Sequence, residues 1–273
     1  MINNTVSFGE LHQMNNFFED PPVIFSTGGG EPGLTQDTIQ NFKNAVKKGA
    51  DVIRTNVGIT RDRKIVLYSN DLFNHEAIAK SGISSFTAED LRTRYRELLN
   101  GRAASDSIDD IPGVLPGLEE AMEAFPDQRF NLHCLDTGAA LMEQMKLVIE
   151  GASADKRVLV SSLSGYNTRW MREMMPDVPV AFSFYGMIFF YGLFRAGVLS
   201  LRRKFNARVL IIPEMIGASY FANSGLIKQA HDRGIRVYVN PVDTDKLARE
   251  MKEAGADGVV SNNIPLVKNA LNN

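Results

Sequence analysis

The side chains with the most chemical capacity stand at the ends of short apolar runs. His133 stands near the end of the run from Phe130 to Leu135, and imidazole is the readiest proton acceptor near pH 7. Cys134 follows it, but neighbours on a strand point to opposite faces, so this lone thiol reads as a packing residue. His133 is then either a base with Asp136 close by or a hydrogen-bonded polar filler. Arg54 and Asn56 share one face of the run from Asp51 to Val57. A guanidinium there holds a phosphate through its planar fork, or forms an internal ion pair with Asp71 or Asp136. Ser26 and Thr27 precede Gly28, Gly29 and Gly30, which reads as an anion cradle of backbone N–H groups or as a plain turn. Ser69 closes another run, ahead of Asn70 and Asp71. Glu214 follows Ile211-Ile212-Pro213 and is the remaining acid at a run's end, and Asn240 precedes Pro241. The expected substrate-binding set is Arg54, His133, Glu214 and Asn240. His133 lacks partners at metal-ligand spacing, and no metal ligands are assigned. His12, His75 and His231 stand in helical or loop contexts and are assigned no chemistry.

These runs alternate with amphipathic helical stretches along the chain. Val23–Phe25, Asp51–Val57 and Lys64–Tyr68 read as strands, with Thr60–Arg63 as a turn. Further strands are read at Phe130–Leu135, Val158–Ser161, Val178–Phe182, Val209–Ile212, Val237–Val239 and Val259–Val260. Helices are read at Thr35–Lys48, closed by Gly49, and at Ser85–Asn100, Leu118–Ala124, Leu141–Glu150, Tyr166–Met175, Gly225–Arg233, Lys246–Ala254 and Leu266–Leu271. About eight β-α units in a chain of 273 residues predict a closed (β/α)8 TIM barrel. In such a barrel the strands' C-terminal ends carry the site. Residues 1–22 read as a polar lead-in with a short docking helix, and residues 23–273 as one barrel domain. Gly28-Gly29-Gly30 lacks the Gly-x-Gly-x-x-Gly spacing of a dinucleotide site.

The net charge of −2 supplies no field for nucleic acid. The single Cys excludes an intramolecular disulfide. The first 20 residues show no secretory pattern, so the cytoplasm is the expected location. Phe182 to Leu201 is nearly all apolar and runs into Arg202, Arg203 and Lys204. Arg195 and three glycines interrupt it, which argues against a spanning helix. It is expected to form an apolar insertion at about 182–204, packed on the core or touching a membrane surface.

Gly49-Ala50-Asp51-Val52-Ile53, followed by Thr60-Arg61-Asp62 and Ile65-Val66-Leu67, resembles the second and third strands of the glycerophosphodiester phosphodiesterase family. Leu34-Thr35-Gln36-Asp37-Thr38 stands where that family has Pro-Glu-Asn-Thr. Pro116-Gly117-Leu118-Glu119-Glu120 is similar to its Pro-Thr-Leu-Glu-Glu. His231 to Val237 and Gly255-Ala256-Asp257-Gly258-Val259 are similar to its last two strands and their approach helices. The resemblance runs from about Val23 to the C-terminus and implies a TIM barrel that cleaves phosphodiesters with a divalent Mg or Ca ion.

The site positions depart from that pattern. The resemblance places Ser26, Thr27 and Gly28 at the family's His-Arg-Gly, and Arg54-Thr55-Asn56 at its metal-binding Glu-x-Asp. Ser69-Asn70 stands at its His-Asp, His133-Cys134-Leu135 at its Glu-x-Lys, and Asn240 at a late Trp. Hydroxyls without a pKa near neutrality do not replace two histidines, and a guanidinium at a carboxylate position repels a cation. The expectation is a member without a bound metal, with lost or strongly impaired hydrolysis, that still binds a phosphodiester or lipid headgroup. Two alternatives stay open. One is an active enzyme rebuilt around His133, Arg54 and Glu214. The other is a structural barrel or one that docks on membranes through 182–204.

Overall fold

The computed structural model describes residues 16–18, 22–29, 36–69, 76–100, 114–216 and 219–272. Parallel strands β1 (Val23–Thr27), β2 (Val52–Ile59), β4 (Arg129–Cys134), β5 (Val158–Ser162), β6 (Val209–Ile212), β9 (Arg236–Val239) and β10 (Gly258–Ser261) form one curved sheet in the order β5-β4-β2-β1-β10-β9-β6. Residues 180 and 181 bridge its two edges: Val180 pairs with Val160 of β5, and Ala181 with Val209 of β6. This short segment is the eighth stave, so the expected TIM barrel is present.

Strand β3 (Ile65–Tyr68) is not a stave. It pairs antiparallel with β2, Val57 opposite Leu67. The connection Thr60–Lys64 is far too short for a parallel crossover, which takes a dozen or more residues, so the chain can only fold back. A second hairpin, β7 (Met215–Ile216) with β8 (Ser219–Tyr220), follows β6 and has no counterpart in the sequence reading.

The helices start and stop where their caps dictate. Helix α1 (Ile39–Lys48) begins at Ile39 because the Thr38 side chain accepts the Asn41 N–H at 3.1 Å. It ends at Gly49, whose φ of 96° is a left-handed conformation that suits glycine. Helix α3 (Ala88–Asn100), which follows α2 (Glu76–Ser81), opens with a reciprocal cap: Asp90 N–H donates to Thr87 Oγ1, and Thr87 N–H to Asp90 Oδ2, each at 3.1 Å. Helices α4 (Leu118–Ala124), α5 (Ala139–Gly151) and α6 (Gly165–Met174) cover one side of the barrel. Helices α7 (Phe184–Arg195), α8 (Ser224–His231), α9 (Asp245–Ala254) and α10 (Ile264–Asn272) cover the other.

Inside the ring, Phe25, Val52, Leu159, Ala181, Val209, Tyr238 and Val260 form a packed layer. Phe17, from a 3-10 turn over Asn16–Phe18, is fully buried beneath it. Its ring lies 6.3 Å from Phe25, and its carbonyl accepts Arg129 Nη1 at 3.1 Å. The part of the lead-in that is described therefore plugs the base of the barrel. The apolar insertion becomes helix α7, in which Phe190 is buried and its neighbour Phe189 is 49% exposed. Among the described residues, no helix is long and apolar enough to cross a membrane.

Candidate functional site at the barrel mouth

Strand alternation decides which side chains reach the mouth. On β4, Phe130, Leu132 and Cys134 pack outward against helices, so Asn131 and His133 point inward. On β2, Val52 belongs to the interior layer, and Arg54 and Asn56 continue that face. The strand register sets Arg54 beside Asn131, Asn56 beside His133, and His133 beside Ser161.

A hydrogen-bond chain crosses three staves at this level. Arg54 Nε donates to Asn131 Oδ1 at 3.2 Å. Asn131 Nδ2 donates to Ser161 Oγ at 3.0 Å and to the Leu159 carbonyl at 3.1 Å. Ser161 Oγ lies 3.0 Å from His133 Nδ1. Asn56 is turned aside, its Nδ2 donating to the Tyr68 carbonyl at 3.1 Å. Arg54 and His133 each keep part of their surface open.

Burial and the neighbouring Arg54 charge push His133 down to about 3. Its imidazole is therefore neutral near pH 7 and a weak base, able to accept or donate one hydrogen bond at the atom not facing Ser161. Arg54 is itself lowered by burial to about 10, opposed by the charge of Asp37, and stays cationic at neutral pH. Asp37 is raised by burial to about 7, against the Thr55 hydrogen bond and Arg54. Thr55 Oγ1 donates to Asp37 Oδ1. The carboxyl that bears on Arg54 is thus Asp37. Asp136, one of the two partners the sequence suggested, does not act on it, and Asp71 lies outside the described residues.

Several expected positions lie elsewhere. Ser26 is on the outward side of β1 with Ile24, fully buried, its Oγ donating to the Val52 carbonyl at 3.4 Å. It does not face the mouth, whereas Thr27, in register with Arg54, follows the inward phase of Phe25. The described part of the glycine run is a turn. Gly28 N–H is spent on the Arg54 carbonyl at 2.8 Å, and a Cβ at Gly29 would meet the Asn41 side chain at 2.4 Å. Ser69 is buried against Tyr95, hydroxyl to hydroxyl at 3.0 Å, beyond the hairpin strand and off the ring.

Glu214 follows β6, half-buried, with its carbonyl accepting from Phe221 and Ala222. Asn240 follows β9 and donates its N–H to the Ile212 carbonyl at 2.8 Å. Both follow staves on the other side of the ring from β2, β4 and β5, and neither takes part in the Arg54–Asn131–Ser161–His133 chain. The sequence reading had Ser161 at the end of a strand but gave it no role, and it missed Asn131 and Asp37 as participants. Asn131 was findable, since it stands two residues before His133 on the same face.

Among the described residues, no three or more His, Cys, Asp or Glu side chains converge in a way that could hold a metal ion. A cleft of about 400 Å³ opens at the opposite end of the barrel, lined by Lys156, Arg172, Asp177 and Arg208 among others, away from the mouth.

Comparison with known proteins bears on the whole barrel. The model of the glycerophosphoryl diester phosphodiesterase family matches residues 29–266. A glycerophosphodiester phosphodiesterase of Caldanaerobacter subterraneus is 23% identical over 253 residues, covering 88% of this chain and 93% of the relative. Among solved structures, a glycerophosphoryl diester phosphodiesterase domain from Mycobacterium tuberculosis superposes with a TM-score of 0.72 at 17% identity, covering 90% of this chain and 97% of its own. A phosphodiesterase of Oleispira antarctica, solved with the product sn-glycerol-3-phosphate, gives 0.69 at 15% identity over 96% and 99% of the two chains. The solved relatives share the fold, the family match spans most of the chain, and the chain belongs to the glycerophosphoryl diester phosphodiesterase family.

Proposed function

We propose that the mouth binds a phosphodiester or phosphomonoester headgroup, such as the glycerol phosphate carried by the Oleispira relative, without a metal and without hydrolysing it. The observation that carries this reading is Arg54. It is cationic, partly open, and fixed through Nε to Asn131, which leaves its terminal nitrogens as donors for an anion. The donor set does not suit a hard divalent ion. Such an ion takes anionic oxygens, and the inward side chains on β2 and β4 are Arg54, Asn56, Asn131 and His133. Hydrolysis also needs a proton acceptor and donor poised near neutrality. His133 at about 3 is far from that range, and Asp37 at about 7 is buried and bonded to Thr55.

The test is paired titration calorimetry and product assay with sn-glycerol 3-phosphate and glycerophosphocholine. Saturable binding is expected in the presence of a chelator, with no choline released under Mg or Ca. Arg54→Met should weaken binding about 10- to 100-fold, the worth of hydrogen bonds to a charged group. Metal-dependent choline release would instead establish the rebuilt enzyme of the alternative reading. A second reading, peripheral membrane contact through residues 182–204, is favoured by the exposed apolar side of α7 and is independent of the mouth's chemistry.

A further inference from the structure

We infer that helix α7 and the turn after it form an interfacial docking element for an anionic phospholipid surface. Four large apolar side chains of α7 reach solvent: Phe184 (44% exposed), Tyr185 (79%), Ile188 (39%) and Phe189 (49%). At 100° per residue they occupy one arc of the helix, and exposed Arg195 falls on the same arc. The opposite side is spent on the core, where Phe190 is buried against Phe182 and Phe205 with ring centres at 5.8 and 5.0 Å. Leu201, 84% exposed in the next 3-10 turn, adds a fifth apolar side chain. Exposed apolar side chains gathered this closely mark an interaction surface.

Charge identifies the occupant. Between Asp177 and Glu214 the chain has no acidic residue, and α7 with the turn after it carries Arg195, Arg202, Arg203 and Lys204. The whole chain is net negative at −2, so this positive block is a local feature. Arg202 places its guanidinium 5.2 Å from the Phe189 ring centre, a cation beside an exposed aromatic. A helix with bulky apolar residues on one face and basic residues beside it lies in the headgroup boundary of a bilayer, and anionic lipid strengthens that binding. A second copy of this chain suits the surface poorly. A twofold interface sets a patch against itself, which would bring the two basic blocks together.

The helix also meets the mouth at one end. Phe184 N–H donates to the carbonyl of Leu163, the residue after β5, at 3.1 Å. Leu163 and Tyr166 are 60% and 50% exposed at that rim. The N-terminal end of α7 thus reaches the rim, while the basic turn lies at the helix's other end, where the Arg202 carbonyl accepts Arg233 Nε at 3.0 Å.

The experiment is co-sedimentation of the full chain with vesicles of phosphatidylcholine alone and of phosphatidylcholine mixed with phosphatidylglycerol. Binding is expected to the mixed vesicles and to fall with added salt. Arg203→Gln with Lys204→Gln should weaken it about 25-fold, about five-fold per charge removed. Tyr185→Asp with Phe189→Asp should reduce it to background, and an unchanged melting temperature for both pairs shows that the fold is intact. Arg54→Met should leave vesicle binding unchanged, which separates this surface from headgroup capture at the mouth. Absence of binding to mixed vesicles, equal binding by the Asp pair, or a concentration-dependent dimer abolished by that pair would each overturn the assignment.

Discussion

Asp257 at the base of the barrel and Asp37 near its mouth are buried alike, 4% and 3% exposed, but they are solvated by the fold in opposite ways. Asp257 takes Arg236 Nη1 at 2.6 Å, His231 Nε2 at 2.7 Å and the Val237 N–H at 2.7 Å. Asp37 has the Thr55 hydroxyl and the charge of Arg54, and burial still raises it to about 7. The base gives each Asp257 carboxylate oxygen at least one donor, although Arg236 Nε itself is buried with no hydrogen-bond partner. The mouth leaves a guanidinium and an imidazole partly open. A carboxylate bonded at both oxygens fixes structure, whereas a guanidinium and an imidazole left partly open have capacity for a ligand.

The comparison can be broken from the base upward. Phe17→Ala should cost about 3–5 kcal/mol in urea unfolding, since it opens a cavity under the interior layer. If headgroup binding survives in that variant, the base and mouth are energetically separate.

Within the mouth, two groups respond to pH in opposite directions. Asp37 has a folded pKa of about 7 against an ordinary value of 3.8. The folded state therefore holds a proton that the unfolded chain has lost, and stability falls as pH rises from about 4 to about 7. The shift corresponds to at most about 4 kcal/mol. His133 works in the other direction. Its folded value of about 3 lies below 6.5, so its contribution is present above pH 6.5 and lost as pH falls through 3. The two partly cancel in the native protein. In melting curves from pH 4 to 8, Asp37→Asn should uncover a rise in stability with pH, and His133→Gln a fall. Identical profiles for both variants would contradict the burial of one or the other.

Asp257→Asn should cost about 3 kcal/mol, because it strands the Arg236 charge in a partly buried position. The smallest effect belongs to Ser26→Ala. It should change stability by about 1 kcal/mol or less and leave headgroup binding untouched, since that hydroxyl faces the helices.

What could be read in advance followed from periodicity. The staves and the inward pairs Arg54/Asn56 and Asn131/His133 are consequences of the two-residue repeat, and the helices of the 3.6-residue repeat. Ser26 was misplaced because Val23-Ile24-Phe25 is apolar throughout and gives no alternation to set its phase. The role of Asp37 was hidden because it depends on a distant contact. The chain folds back over the Gly28 turn, donating Asp37 N–H to the Gly28 carbonyl at 2.8 Å, and so delivers the carboxyl to Thr55 and Arg54. Hairpin β3 passed for a stave because an apolar run of four residues reads the same in either direction.

The eighth stave has a thermal consequence. Residues 179–182 join the barrel's edges through only a few backbone bonds: Val160 N–H to Pro179, Ala181 N–H to Val160 and Phe182 N–H to Val209, at 2.9–3.0 Å. By contrast, β2 and β4 are in register over six residue pairs. A ring opens where its staves are least tied, so the amides of Ala181 and Phe182 should exchange with solvent deuterium ahead of those in β2 and β4. That seam leads directly into α7, and a bilayer holding the helix would slow the exchange of both amides.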